Sequence, residues 1–110
     1  MKILDYVADD CANITGMCLQ GTIETTYDEL VEKFGKPTYT DADPYEKVAC
    51  EWIIQAKCVE DGMDDDDFNY KNFTVYSWKT GCIPTQKYEW HIGGHNFESW
   101  SIADDIINKQ

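Results

Sequence analysis

Two histidines and two of the five cysteines are the side chains that could bind zinc. His91 and His95 flank a Gly-Gly pair in the segment Trp90-His91-Ile92-Gly93-Gly94-His95. Histidines at i and i+4 converge on one metal only on a helix, which Gly-Gly disfavours. Cys50 and Cys58 fall on the apolar face of an alternating segment, whereas His91 falls on a polar face. We therefore expect no metal site, and a small metal- or ligand-binding protein that uses these histidines and a cysteine remains an alternative.

The run Asp64 to Asp67 suggests calcium, but its spacing does not fit an EF-hand loop. Such a loop needs glycine at position six and glutamate at position twelve. Counting from Asp64 places Asn69 and Val75 at those positions. Adjacent carboxylates repel one another, so we predict a solvated loop.

Catalytic patterns are missing from the sequence. Either histidine could act as a base for a thiol, but no local motif selects one of the five cysteines. A glycine-rich phosphate loop with a lysine is absent as well. We predict that the protein is not an enzyme and needs no cofactor.

Charge is the most informative property of the composition. The 110 residues contain nine lysines, no arginine and 21 carboxylates, which gives a formal charge of −12. A surface this negative repels nucleic acid and anionic lipid and attracts basic protein surfaces. Arginine is the side chain that most often forms paired hydrogen bonds to phosphate and to guanine, so its absence also argues against binding of nucleic acid. We expect a protein partner with a basic surface, without direct binding to nucleic acid or membrane.

The candidate partner-binding residues include carboxylates in three parts of the chain. They are Asp28, Glu29, Glu32, Asp41, Asp43, Glu60, Asp61, Asp64, Asp65, Asp66 and Asp67.

Large aromatic residues provide the alternative contact surface. Tyr76, Trp78, Tyr88 and Trp90 lie on two neighbouring predicted strands. They either pack under the helices or leave a Trp/Tyr patch on one sheet face, a composition typical of protein interfaces. In the second case Trp78 and Trp90 are the expected anchors.

These residues must be positioned by a sheet and two helices. Apolar residues at helical spacing predict a helix over residues 27–34, with Thr26 as N-cap, Glu29 completing a capping box and Gly35 as the stop. A second helix is predicted over residues 97–108, with Asn96 as N-cap and Phe97 in its apolar stripe.

Alternating segments predict the strands. A short strand covers residues 17–24 with a bulge at Gly21, and a central strand covers residues 48–59. Strands over residues 72–80 and 87–93 complete an antiparallel meander. The prediction is a single α+β domain over residues 1–110, a two-layer fold with an antiparallel sheet of three to four strands and two helices on one face.

Residues 1–6 lack the apolar stretch of a secretory signal, and no window approaches a membrane span. Five unevenly spaced cysteines fit reduced thiols better than a disulfide framework. Both features predict a cytoplasmic protein.

Several motifs resemble those of small bacteriophage proteins of uncharacterised function, over roughly residues 17–107. The motifs are residues 25–30, Phe34-Gly35-Lys36-Pro37, Glu51-Trp52, Tyr76-Ser77-Trp78-Lys79 and Trp90-His91-Ile92-Gly93-Gly94. The helix, the Phe-Gly-x-Pro stop and the following Trp strand are also similar to the repeat unit of outer-membrane assembly lipoproteins and of β-lactamase inhibitor proteins. The phage resemblance implies a protein acting in the cytoplasm of an infected cell.

Charge and resemblance together lead to one functional hypothesis. An acidic phage protein without a catalytic site is expected to inhibit a host protein, for example one of an antiviral defence, by occupying its basic nucleic-acid-binding surface. Duplex DNA carries one negative charge per ~1.7 Å of axis, so a rigid set of carboxylates can compete for the same lysines and arginines.

Overall fold

One antiparallel sheet carries both helices. The computed structural model describes residues 1–9, 15–40, 50–78 and 82–109, and within these ranges the sheet has six strands. The elements in chain order are β1 (Lys2–Ala8), β2 (Cys18–Thr25), α1 (Tyr27–Phe34), β3 (Tyr39–Thr40), β4 (Cys50–Val59), β5 (Asn69–Tyr76), β6 (Tyr88–Gly94) and α2 (Glu98–Lys109). The α+β class is confirmed, whereas the predicted count of three to four strands is wrong.

The strand order shows where the extra strands lie. The path is β1-β4-β5-β6-β2, and β3 also pairs with β4. β1 and β3 share one edge of β4, so β5, and not β4 as predicted, is the middle strand. β1 has a register shift between Ile3 and Asp5, which disturbs its alternation, and β3 has only two residues. Neither strand therefore has a clear period-two pattern. The predicted meander is confirmed as β4, β5 and β6.

Helix α1 has the predicted bounds, Tyr27–Phe34. The backbone N–H of Glu29 donates to Thr26 Oγ1 at 3.2 Å, which satisfies one of the free donors of the first turn. The Glu29 carboxylate accepts from the Thr25 hydroxyl, so only half of the predicted capping box forms. Gly35 ends the helix with φ 80°, a left-handed conformation that favours glycine.

Strand β2 contains the predicted bulge. Its register with β6 shifts between Leu19 and Gly21. The shift changes which side chains face the core, because one extra residue reverses the alternation. Ile23 is therefore buried while Leu19 is 54% exposed. The alternation of residues 17–24 predicts Leu19 and Ile23 on one face, and this prediction is wrong.

Helix α2 begins one residue later than predicted. Asn96 accepts a hydrogen bond from the backbone N–H of Glu98, the first helical residue, at 3.0 Å. Phe97 precedes the helix, is 62% exposed and stacks on Trp100 with ring centroids 5.4 Å apart. Its predicted place in the buried stripe is therefore wrong.

The core lies between the two helices and one face of the sheet. α1 contributes Leu30 and Phe34, and α2 contributes four residues from Ile102 to Ile107. The sheet contributes the even-numbered positions of β4 together with Ile23, Phe73, Val75, Trp90 and Ile92. Val48, which the alternation of residues 48–59 places on the same face, lies outside the described residues. No described helix combines the length and the apolar character needed to cross a lipid bilayer.

Candidate functional site

The acidic loop, residues 60–67, connects β4 to β5 and is exposed throughout. Two hydrogen-bonded turns shape it, with Met63 N donating to Glu60 O and Asp67 N donating to Asp64 O. The N-terminal amino group lies 2.6 Å from Asp61 Oδ1. Because these side chains are solvated, the loop presents its charge to water or to a partner.

Few cations neutralise the acidic loop. Besides the contact of Asp61, only the Lys2–Asp65 pair forms within the described ranges, at 3.5 Å and largely exposed. Exposed pairs contribute about 0–1 kcal/mol and hold side chains weakly. The carboxylates of Glu60, Asp64, Asp66 and Asp67 are in no ion pair with the residues that the structure describes.

Helix α1 carries the second group of candidate carboxylates. Asp28, Glu29 and Glu32 are all exposed. Asp28 and Glu29 lie in the first turn, where the helix dipole favours negative charge. The Glu29 carboxylate also accepts a hydrogen bond from the Thr25 hydroxyl, so part of the role of Glu29 is structural.

These two acidic groups lie toward opposite ends of β4. Tyr27, at the start of α1, packs against Trp52 with ring centroids 5.7 Å apart, whereas the acidic loop follows Val59. Seven residues along a strand span about 23 Å, so the two groups are separate. Asp41 and Asp43 lie outside the described residues.

The two predicted aromatic anchors have opposite environments. Trp90 is 0% exposed and packs edge to face against Trp52 in the core. Trp78 is 40% exposed. The prediction that Trp90 contacts a partner is wrong, because its strand turns that side chain toward the helices.

A pocket of about 260 Å³ opens beside Trp78, on the sheet face opposite the helices. We call it the Glu51 pocket. It is lined by Met17, Cys18, Glu51, Thr74, Tyr76, Trp78 and Gly93.

Strand register builds this pocket. Glu51 of β4 lies opposite Tyr76 of β5, and Tyr76 lies opposite His91 of β6. The rings of Tyr76 and His91 stack, with centroids 5.4 Å apart and 25° between their planes. The Trp78 ring stands at 79° to Tyr76, with centroids 6.4 Å apart. Two aromatic rings at a steep angle thus stand beside one carboxylate.

Glycine at position 93 makes room for these rings. A Cβ atom there would lie 2.5 Å from Thr74 Oγ1 and 3.4 Å from Tyr76 Cε1. Any larger residue at position 93 would therefore displace the pocket wall.

Partial burial changes the acid–base properties of the pocket. Burial raises the pKa of the Glu51 carboxyl above its ordinary 4.5. The pKa of Tyr76 is also raised, first by burial and then by the negative charge of Glu51. Burial lowers the pKa of His91, and the nearby Glu89 opposes this effect.

The histidines and cysteines of the zinc hypothesis do not come together. Cys50 and Cys58 belong to the core under the helices, and burial raises the pKa of each thiol to about 11. His91 lies on the other sheet face, next to Tyr76. Over the described ranges, no group of three His, Cys, Asp or Glu side chains is arranged to hold a metal ion.

A second pocket of about 220 Å³ contains His95, between β5 and the start of α2. Lys71 Nζ lies 3.2 Å from Glu98 Oε1 there, so the charges at this pocket are paired. The Oδ1 atom of Asn72 is buried without a hydrogen-bond partner among the described residues.

Comparison of the chain with protein-family models, curated proteins and solved structures gave no match. The alternation of residues 48–59 places Glu51 on the polar face of its strand but does not connect it with Trp78. The motifs Glu51-Trp52 and Tyr76-Ser77-Trp78 contain residues that line the pocket. Only the register of β4 with β5 shows that these residues are neighbours.

Proposed function

We propose that this chain is an acidic binding protein that occupies a basic, nucleic-acid-binding surface of another protein and thereby inhibits it. The observation that carries this proposal is the acidic loop, whose carboxylates are exposed and mostly without cationic neighbours in the part of the chain that the structure describes. Such carboxylates are available to a partner's lysines and arginines.

The placement of charge supports competition with nucleic acid. The molecule measures 46 Å along its longest axis, and its acidic loop and α1 carboxylates lie toward opposite ends of β4. A duplex presents phosphates over a comparable length, at one charge per ~1.7 Å of axis. Two separated acidic groups can therefore bind lysines and arginines that are spread along the partner's nucleic-acid-binding groove.

The resemblance to bacteriophage proteins makes a protein of the bacterial host cytoplasm the expected target, and a component of an antiviral defence is one such target. Inhibition by occupancy requires only binding at the partner's surface, and the exposed carboxylates of the acidic loop are suited to that. The protein itself would not contact nucleic acid, because like charges repel.

The test begins with capture from bacterial lysate on the immobilised protein, washed with rising salt. A captured protein is purified and titrated against this chain, and its binding to duplex DNA is measured with and without the chain. Attraction between exposed charges is screened beyond about 8 Å at physiological salt. We expect affinity to fall steeply with salt and DNA binding to be lost in proportion to occupancy.

A matched pair of triple variants locates the contact. Asp64→Asn, Asp66→Asn and Asp67→Asn remove three charges from the acidic loop. Asp5→Asn, Glu24→Gln and Glu89→Gln remove three exposed charges elsewhere. We expect the loop variant to lose about tenfold or more in affinity and the control to lose far less. Tight binding that is unchanged between low and high salt, or equal loss in both variants, would overturn the proposal.

A further inference from the structure

The Glu51 pocket has the size of a site for one side chain or another small group. Pockets for drug-sized molecules enclose about 300–1,000 Å³. This one encloses about 260 Å³ and is open to solvent beside Trp78. Its occupant is therefore a small group, either free or attached to a larger molecule.

The charge of the pocket selects a cation. Glu51 is its acidic group, and no lysine is among the described residues that line it. Glu51 forms no ion pair with any residue in the described ranges. Lys57, on the same face of β4, is placed over the Phe68 ring with Nζ 4.0 Å from its centroid. A half-buried carboxylate without a counter-ion is stabilised when a cation enters.

The aromatic walls select the kind of cation. The Trp78 ring is 40% exposed and stands at 79° to the Tyr76 ring, so the pocket has an aromatic wall that solvent reaches. A guanidinium group is planar, more weakly hydrated than an ammonium group, and stacks on aromatic faces. It also forms paired hydrogen bonds to one carboxylate, which the compact ammonium of lysine cannot match.

We propose that an arginine side chain of the partner enters the Glu51 pocket, pairs with the Glu51 carboxylate and stacks against Trp78. This inference rests on the proposed function, since it names one contact that the basic partner makes. The chain itself contains no arginine, so none of its own side chains competes for the pocket in this way. The pocket would add specificity to an attraction that the exposed carboxylates provide without sequence preference.

The test uses the full chain and a short probe, so it does not depend on knowing the partner. Acetyl-Gly-Arg-Gly-amide is titrated while the indole N–H signals of the four tryptophans are followed by NMR. Trp78→Phe assigns the Trp78 signal. Acetyl-Gly-citrulline-Gly-amide is the neutral control of nearly the same shape, and the lysine peptide tests the choice between cations.

We expect the arginine peptide to shift the Trp78 signal in a saturable way, with a dissociation constant on the order of 1 mM. The lysine peptide should bind several-fold more weakly, and the citrulline peptide should not saturate. Glu51→Gln should weaken arginine binding about tenfold, because the negative charge and one of the two acceptor oxygens are lost. Glu89→Gln removes an exposed charge from neighbouring β6 and should leave binding unchanged.

Three results would overturn the proposal: no saturable shift at Trp78, equal binding of the arginine and citrulline peptides, or unchanged binding in Glu51→Gln. Guanosine monophosphate is titrated in parallel, since a purine could also stack on Trp78 and donate to Glu51. Saturable binding of the nucleotide in place of the arginine peptide would contradict the proposal too.

The same variants separate this inference from the proposed function. If the pocket fails but the proposed function holds, the acidic-loop triple variant loses the partner while Glu51→Gln keeps it. If the proposed function fails but the pocket is real, the arginine peptide still shifts Trp78 although no salt-sensitive basic partner is found.

Discussion

Trp52 and Trp90 pack edge to face at the centre of the core, with ring centroids 5.5 Å apart and 73° between their planes. Both side chains are fully buried. The Trp52 indole N–H donates to the carbonyl oxygen of Gly35, which follows α1, at 2.9 Å. The Trp90 indole N–H donates to the carbonyl oxygen of Thr25, which precedes α1, at 3.2 Å. One aromatic pair on β4 and β6 therefore fixes both ends of α1 to the sheet.

Replacing either of these tryptophans by phenylalanine should destabilise the fold. Each change removes ring volume from a packed core and leaves a backbone carbonyl without its donor. We expect Trp52→Phe and Trp90→Phe each to lower the free energy of unfolding by about 2–3 kcal/mol. Urea denaturation followed by circular dichroism measures the loss. Trp78→Phe, at an exposed site, is the control, and equal losses at all three positions would contradict the role given to the pair.

Helix α1 could be predicted to the residue because local chemistry encodes both of its ends. Thr26 caps the first turn and Gly35 supplies the left-handed stop, and neither depends on distant contacts. Local sequence could not predict whether Trp90 is buried. The alternation of residues 87–93 places Trp90 on one face with Tyr88 and Ile92, but only the placement of the helices decides which sheet face is covered.

The Glu51 pocket could not be predicted because four separate segments build it. Glu51, Tyr76 and Gly93 meet through the register of β4, β5 and β6, and a shift of one residue would turn each to the other face. β1 and β3 escaped prediction for a related reason, since their strand character comes from pairing with β4 and not from their own pattern.

The pH dependence of stability should reveal the burial of Glu51. Because burial raises the pKa of Glu51 in the folded protein, the native state binds more protons than the unfolded state just above pH 4.5. Its contribution to stability is therefore lost as pH rises through the folded pKa. Glu51→Gln should unfold like the parent protein at pH 4 and be more stable than the parent protein at pH 7.

Denaturation curves of both proteins from pH 4 to pH 8 provide this measurement, with Glu89→Gln as the exposed control. A stability difference for Glu51→Gln that is largest at low pH, or one of opposite sign at pH 7, would show that the carboxylate is not desolvated.

Close packing at Gly94 should make that position intolerant of a side chain. A Cβ atom there would lie 2.1 Å from Ser99 Oγ and 2.2 Å from Ser99 Cβ, so β6 and α2 would have to separate. We expect Gly94→Ala to cost about 2–3 kcal/mol of unfolding free energy. At Gly62 φ is 83°, and apart from its chain neighbours no described residue has an atom within 4 Å of an added Cβ, so Gly62→Ala should cost about 1 kcal/mol from backbone strain alone.

A double variant tests the cause of the cost at Gly94. Gly94→Ala combined with Ser99→Gly should be less destabilised than the sum of the two single changes, because the clash is removed. Strict additivity in urea denaturation would mean that the two positions do not interact.

The thiols should divide into two reactivity classes, and the division should report on the Glu51 pocket. Cys18 and Cys82 are exposed, whereas Cys50 and Cys58 are buried with pKa values raised to about 11. In a Cys11→Ser background, since Cys11 lies outside the described residues, a disulfide reagent at pH 8 should modify two thiols rapidly. The other two should react at least about a thousandfold more slowly, through rare unfolding.

Because Cys18 lines the pocket, the arginine peptide should slow the reaction of Cys18 and leave that of Cys82 unchanged. Four thiols reacting at one rate would contradict the buried core, and equal protection of Cys18 and Cys82 would contradict a site at the pocket.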